Sequence, residues 1–237
     1  MMRIHKNPHV MPSFLDNHDV DRFLTYGSES ALKQALAAMF TLPGIPTIYY
    51  GTEQGFKDAR AAMFAVGWGS GGRDRFDTAA PLYQTIKELA ELRRRYNVLS
   101  RGTPVTLHSN AAKPGALVYT MRAAGKQSMV VAHNTAEHEV FVDALAGGLP
   151  AHALLTPRYG AAPQVSLDKK GNASFAMPAR ATWVWEATPK NTETPAAQNE
   201  AISLLISPKM VVSQNFNVKG RAKPNAALQL IVNGDVS

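Results

Sequence analysis

Phe14-Leu15-Asp16-Asn17-His18-Asp19, continued by Val20-Asp21-Arg22-Phe23, decides how this chain is read. A short apolar run (Val10, Met11, Phe14, Leu15) ends abruptly in carboxylates, an amide and an imidazole. A buried strand has this pattern when its carboxyl end opens into a site, as in a parallel barrel with its chemistry at the strand C-termini. Taken alone, the same residues also suit a polar turn. A second stretch repeats the plan. Pro43-Gly44-Ile45-Pro46-Thr47-Ile48-Tyr49-Tyr50-Gly51-Thr52-Glu53-Gln54-Gly55 gives a turn, an apolar strand over Ile45–Tyr50, then glycine and polar residues. That strand is apolar enough to be buried on both faces.

Between the two stretches, Leu32, Leu36, Met39 and Phe40 fall at helical spacing, with Ser28 or Ser30 as N-cap and Pro43 beyond the end. The apolar stripe suits the barrel-facing side of a βα unit better than a partner groove. Pro81 opens another helix, with Leu82, Ile86, Leu89 and Tyr96 on one face and Lys87, Glu88, Glu91 and Arg94 on the other. Arg93-Arg94-Arg95 close it, where cations suit the negative end of the helix dipole.

Together the two opening stretches resemble the last two strand segments of the α-amylase family of glycoside hydrolases. FLDNHD is similar to the family's motif at the end of barrel strand seven, and GIPTIYYGTEQ to its strand eight. NHDVDRF, ALKQALA and YYGTEQ are most similar to cyclodextrin glucanotransferases and related amylases. The resemblance is specific over residues 10–56 and weaker to about residue 187. Nothing in the chain resembles the earlier part of that barrel.

The chain has 237 residues, 45% hydrophobic and 18% charged, an ordinary globular composition that argues against disorder. No apolar run reaches the ~20 residues that span a bilayer. The absence of cysteine removes disulfides and thiolate metal sites. A net charge of +7 is spread along the chain rather than gathered on one motif, so no nucleic-acid partner is expected. Residues 1–6 lack the apolar core of a signal peptide, and an export signal of a secreted or periplasmic parent is expected outside this chain. His5 and His9 have a helical metal spacing, but Pro8 between them points to a loop.

Residues 55–80 read as a long Gly- and Arg-rich loop at a barrel mouth, without the Lys-Ser/Thr of a nucleotide loop. From Gly102 the period becomes alternating. Val105–Leu107, Ala116–Arg122, Ser128–Ala132, Glu139–Val142, His152–Leu155, Gln164–Leu167, Ser174–Met177 and Thr182–Glu186 read as short strands of an antiparallel sandwich. Trp183 and Trp185 share one side of their strand, for packing or as a sugar-stacking platform. Residues 187–200 read as a linker. Strands follow at 202–206, 211–218 and 227–232, and residues 218–234 resemble the first half of a bacterial immunoglobulin-like repeat.

The expected organisation is therefore α/β plus all-β. Residues 1–98 are the last two βα units of a (β/α)8 barrel, and 99–187 an antiparallel β sandwich. Residues 188–200 are a linker and 201–237 an incomplete immunoglobulin-like β module.

Retaining cleavage of a glycosidic bond uses two carboxyls about 5–5.5 Å apart. In the resembled family these come from strands four and five, so the resemblance implies a fragment without nucleophile or general acid. Asp19 matches a third carboxylate of the catalytic site, which binds sugar hydroxyls and helps distort the ring. His18 matches an imidazole that hydrogen-bonds the same sugar. Asn17 and Asp16 shape the turn. Arg22 is counted with His18 as substrate-binding, orienting a carboxylate bidentately, with a bridge to Asp21 or a neighbouring loop as the alternative. Glu53 is given a shaping role. The expected substrate is an α-1,4-glucan or maltooligosaccharide, with hydrolysis and glucanotransfer both open. No metal site is legible here, and calcium is a cofactor only of the complete parent. A noncatalytic β-rich carbohydrate-binding or assembly module is the alternative, resting on exposed aromatics among Trp183, Trp185 and Tyr159. A quarter of a barrel would leave Phe14, Leu15, Ile45, Ile48 and Tyr49 without flanking strands, inviting loose order or self-association through the open edges.

Overall fold

The computed structural model describes residues 5–110, 112–145 and 148–189, with two short segments near the end of the chain. Met1–Thr192 forms one compact unit and Glu193–Ser237 a second. The first unit takes in both the βα segment and the β strands that follow it.

The described chain opens with β1 (Pro12–Ser13), α1 (Phe23–Tyr26), α2 (Glu29–Thr41) and β2 (Ile45–Pro46). β1 and β2 run parallel, as a barrel segment requires, with Pro12 opposite Ile45 and Ser13 opposite Pro46. The Ile45 amide donates to the Met11 carbonyl and the Thr47 amide to the Ser13 carbonyl, both at 2.8 Å. The strand expected over Ile45–Tyr50 is far shorter, and it is not buried on both faces. Ile45 is 50% exposed and Phe14 54%. Pro12 and Pro46 each remove a ladder donor, and among the described residues no third strand flanks the pair.

Ser28, rather than Ser30, caps α2, accepting from the Ala31 amide at 3.2 Å. α3 (Pro81–Arg95) follows the long loop. Leu32 and Leu36 of α2 meet Leu82 and Leu89 of α3 in one core cluster, which Leu15, Phe23, Leu24 and Ile48 flank. The dipole reading of the three terminal arginines omits a larger role for one of them. Arg93 donates to the carbonyls of Phe40, Leu42 and Gly44, at 2.6–2.9 Å, and to that of Leu99 at 3.2 Å. It thereby ties the end of α2 and the turn into β2 to α4 (Val98–Arg101), a short helix without a sequence signal.

The remaining strands are β3 (Thr103–Ser109), β4 (Ala116–Arg122), β5 (Ser128–Asn134), β6 (Val140–Val142), β7 (Leu154–Tyr159), β8 (Val165–Ser166), β9 (Phe175–Met177) and β10 (Thr182–Thr188). All eight expected strands are present; the largest shift is β7, which runs to Tyr159. Six form an antiparallel sheet in the order β3-β4-β5-β10-β7-β8, and β6 pairs with β9. The two sheets enclose a core that includes Val118, Val130, Leu155, Phe175, Met177 and both tryptophans of β10.

The outer face of the large sheet is also covered. Tyr119, Met121, Met129, Val131 and Val184 pack against Leu92, Val98 and Leu99. β10 is thus buried on both sides, Trp183 and Trp185 inward and Val184 towards the helices. Polar contacts also fasten this joint. Gln34 donates to the Asn134 carbonyl at 2.9 Å, and the hydroxyls of Thr41 and Tyr119 lie 2.6 Å apart.

In the second unit, β11 (Ile231–Val232) and β12 (Asp235–Val236) form an antiparallel pair. The linker from residue 190 and the strands expected at 202–206 and 211–218 lie outside the described residues, as does most of the strand expected at 227–232.

Candidate active site at the end of the first strand

β1 delivers the chain to Asp16, which is 4% exposed. Its Oδ1 accepts from the Phe23 amide at 2.8 Å and its Oδ2 from the Thr52 hydroxyl at 2.7 Å. One carboxylate therefore satisfies an orphan amide of α1 and ties it to the turn after β2. Asn17 Oδ1 accepts from the amides of Asp19 and Val20, at 2.8 and 3.1 Å. This local side-chain turn reverses the backbone. It leaves His18 and Asp19 outside, with side chains 63% and 70% exposed and His18 Nε2 3.2 Å from Asp19 Oδ1.

Arg22 goes the other way, with no exposed surface. Its Nε donates to the Asp58 carbonyl at 2.7 Å, and Nη2 to those of Tyr50 and Ala59 at 2.8 and 3.2 Å. Nη1 lies 3.8 Å from Asp16 Oδ2. The expectation that Arg22 binds substrate therefore meets a guanidinium whose donors point at the protein. Of the two sequence readings, the neighbouring-loop contact is the observed one. Its acid partner is Asp16 rather than Asp21, which accepts instead from the Tyr26 hydroxyl at 2.7 Å.

Aromatic rings close over this buried cation. The Arg22 guanidinium lies 4.5 Å from the Tyr49 ring centre and 5.4 Å from those of Tyr50 and Phe56. Tyr49 in turn has the His18 ring 6.5 Å away. Burial first, then the hydrogen bond with Tyr50, raises the Tyr49 phenol above its ordinary pKa, while the charges of Arg22 and Arg60 pull it back. Gly51 makes this packing feasible. Its φ is +83°, and a Cβ there would stand 2.5 Å from the Phe56 ring.

Sequence reasoning missed the residues that lock the two strand ends together. Thr52 bonds Asp16, Gln54 exchanges hydrogen bonds with the Asp77 backbone at 3.0 Å, and Arg60 Nε donates to the His18 carbonyl at 3.1 Å. The bonds that shape this turn thus come from the neighbours of Glu53. Thr52 and Gln54 sit inside the recognised strand-eight motif, whereas Arg60, in a Gly- and Arg-rich loop, has no local signal.

Among the described residues no three His, Asp or Glu side chains gather closely enough to hold a metal ion. Nor, among the described residues, is any helix long and apolar enough to cross a membrane. Trp183 and Trp185 are 6% and 0% exposed, and the Trp185 indole donates to the Pro163 carbonyl at 2.7 Å. They are core packing and offer no stacking surface.

A parallel strand pair with packed helices thus ends in an exposed carboxylate–imidazole couple beside an aromatic floor and is followed by a β sandwich. Residues 1–67 match the model of the alpha amylase catalytic domain, and the chain is similar to α-amylases and cyclomaltodextrin glucanotransferases. A cyclomaltodextrin glucanotransferase of Paenibacillus macerans is 32% identical over 194 residues, covering 80% of this chain and 26% of that protein. An α-amylase of Niallia circulans is 32% identical over 177 residues, 68% of this chain and 32% of its own length. In structure, an Anoxybacillus α-amylase matches with a TM-score of 0.66 at 25% identity, over 80% of this chain and 40% of the other. The chain thus spans about a quarter to a third of the curated relatives named here.

Proposed function

We propose that this chain is the C-terminal part of an α-amylase-type retaining enzyme acting on α-1,4-glucans, and that Asp19 and His18 hold the sugar at the scissile bond. The observation that carries this reading is the split within one motif. Asp16 and Arg22 are buried and consumed by structure, while His18 and Asp19 stand 3.2 Å apart and open. Exposed polar groups fixed by buried neighbours are what a sugar-binding site needs, since a preorganised carboxylate can grip two hydroxyls without first ordering itself.

In this mechanism Asp19 accepts hydrogen bonds from ring hydroxyls and favours the distorted, oxocarbenium-like geometry, and His18 adds a further hydrogen bond. Arg22 is a positioning residue that acts through Tyr49 and Asp16. The nucleophile and the general acid belong to strands four and five of the resembled barrel, so this chain is inactive by itself. Cyclomaltodextrin glucanotransferases stand among its relatives, which supports transfer as the second reading beside hydrolysis.

Incubation with maltoheptaose tests the proposal. The chain is expected to release no reducing sugar above an Asp19→Asn control, yet to be retarded in a starch-containing native gel in an Asp19-dependent way. Turnover by the chain alone, or retardation indifferent to Asp19→Asn, would overturn it.

A further inference from the structure

With Trp183 and Trp185 buried, the third of the chain's three tryptophans is the exposed one: Trp68, at 74%. It lies in the long loop between β2 and α3, and its exposure is built rather than frayed. Arg22 holds the loop's start through the carbonyls of Asp58 and Ala59, and Gln54 holds its end at Asp77. Inside, the Ala62 amide donates to the Trp68 carbonyl at 2.8 Å, the Gly67 amide to Phe64 at 2.9 Å, and the Arg75 amide to Met63 at 2.8 Å. Asp74 Oδ1 accepts from the Ala65 amide at 2.8 Å. Gly67 is needed for closure, because a Cβ there would stand 2.2 Å from the Ala62 Cβ.

This framework turns apolar groups outward. Phe64 is 63% and Phe76 54% exposed, with ring centres 5.2 Å apart, and Val66 is fully open. A loop spending this many internal hydrogen bonds to display aromatic faces calls for an occupant. Its chemistry follows from two features. The aromatic faces are interrupted by exposed Arg60, Arg73 and Asp74, so the surface offers flat apolar faces beside hydrogen-bonding groups. A hexose ring, with its C–H face and hydroxyl rim, complements such a surface. The loop is also continuous with the candidate site, because Arg60, two residues before the Ala62 that anchors Trp68, bonds the His18 carbonyl at 3.1 Å.

We infer that Trp68 is an additional glucan-binding residue, stacking a sugar of the same chain whose neighbouring unit lies at His18 and Asp19. The inference rests on the α-glucan reading above. One set of measurements separates the two. Because the other two tryptophans are buried, acrylamide quenching of the protein's fluorescence reports on Trp68. Millimolar maltoheptaose is expected to protect it. Trp68→Ala should weaken retardation in starch gels roughly tenfold, Trp68→Phe should restore most of it, and both variants should keep the urea midpoint.

Retardation lost in Asp19→Asn but unchanged in Trp68→Ala would overturn this inference and leave the site assignment standing. Retardation indifferent to both would overturn both. Quenching unchanged by maltoheptaose would overturn the Trp68 assignment. So would protection that grows with protein concentration without sugar, since a second copy would then cover the face.

Discussion

The guanidinium of Arg22 lies 4.5 Å from the centre of the Tyr49 ring. A cation with no solvent exposure thus underlies the aromatic floor beside His18. Arg22→Met would leave the carbonyls of Tyr50, Asp58 and Ala59 without their donor and Asp16 without its cation. We expect a loss of about 3–5 kcal/mol in urea unfolding, the usual cost of breaking a buried pair by removing one partner. Amide exchange should speed up first across residues 50–60. A loss under about 1 kcal/mol would mean that the loop is held elsewhere.

The two motif carboxylates are expected to separate cleanly. Asp16→Ala removes the acceptor for the Phe23 amide and the Thr52 hydroxyl, and should cost about 3 kcal/mol or more. Asp19→Asn, on an exposed side chain, should stay within about 0.5 kcal/mol of the parent chain. Equal losses in chemical denaturation would show Asp19 to be structural.

Asn134 is a second point of high stake. It is fully buried; its Nδ2 lies within hydrogen-bond reach of the carbonyls of His138, Met177 and Pro178, and its Oδ1 accepts from the Ala136 amide. Asn134→Ala would strand these groups at the rim of both sheets. A destabilisation of about 2–4 kcal/mol is expected, read as a fall in thermal midpoint.

Stability should also fall in mild acid. Burial pushes the His133 imidazole down to about 4 from 6.5, where it lies 3.1 Å from the Thr182 hydroxyl. Between those values the unfolded chain binds the proton and the folded chain does not. Stability from this group is therefore complete above about pH 6.5 and is lost as pH falls towards 4, by up to about 3 kcal/mol. Urea midpoints from pH 7 to 4 check this, and the slope should shrink in His133→Gln.

The open barrel segment leads to an expected association. Val10, Phe14 and Ile45 are each about half exposed beside the two-stranded parallel sheet. Light scattering is expected to show oligomers that dissociate in Ile45→Lys, a charge placed on the edge strand. A strict monomer with slow amide exchange throughout residues 45–50 would contradict it.

What the sequence disclosed follows from the range of the forces involved. α2, α3 and the strands from β3 to β10 were legible because periodicity and turn residues are local. The family motif was legible because Asp16, His18 and Asp19 adjoin one another. Arg22 was not, since its partners Asp58 and Ala59 lie far along the chain, in a loop without periodicity. Strand length failed at Ile45–Tyr50 for a similar reason: apolar content measures what a strand can bury, whereas the available neighbours set what it does bury. Trp68 was passed over inside a Gly- and Arg-rich loop without periodicity, because its ordering comes from Gln54 and Arg22.

The burial of β10 on both sides bears on inheritance. A gene rearrangement severing residues 1–98 from the strands would strip Leu92 and its neighbours from Val131 and Val184, leaving a greasy sheet face to the solvent. The strands have a core of their own, yet they cannot be traded between proteins as a free cassette. Recombination that respects this joint must carry the helices along and attach new domains beyond Thr188, where β10 ends.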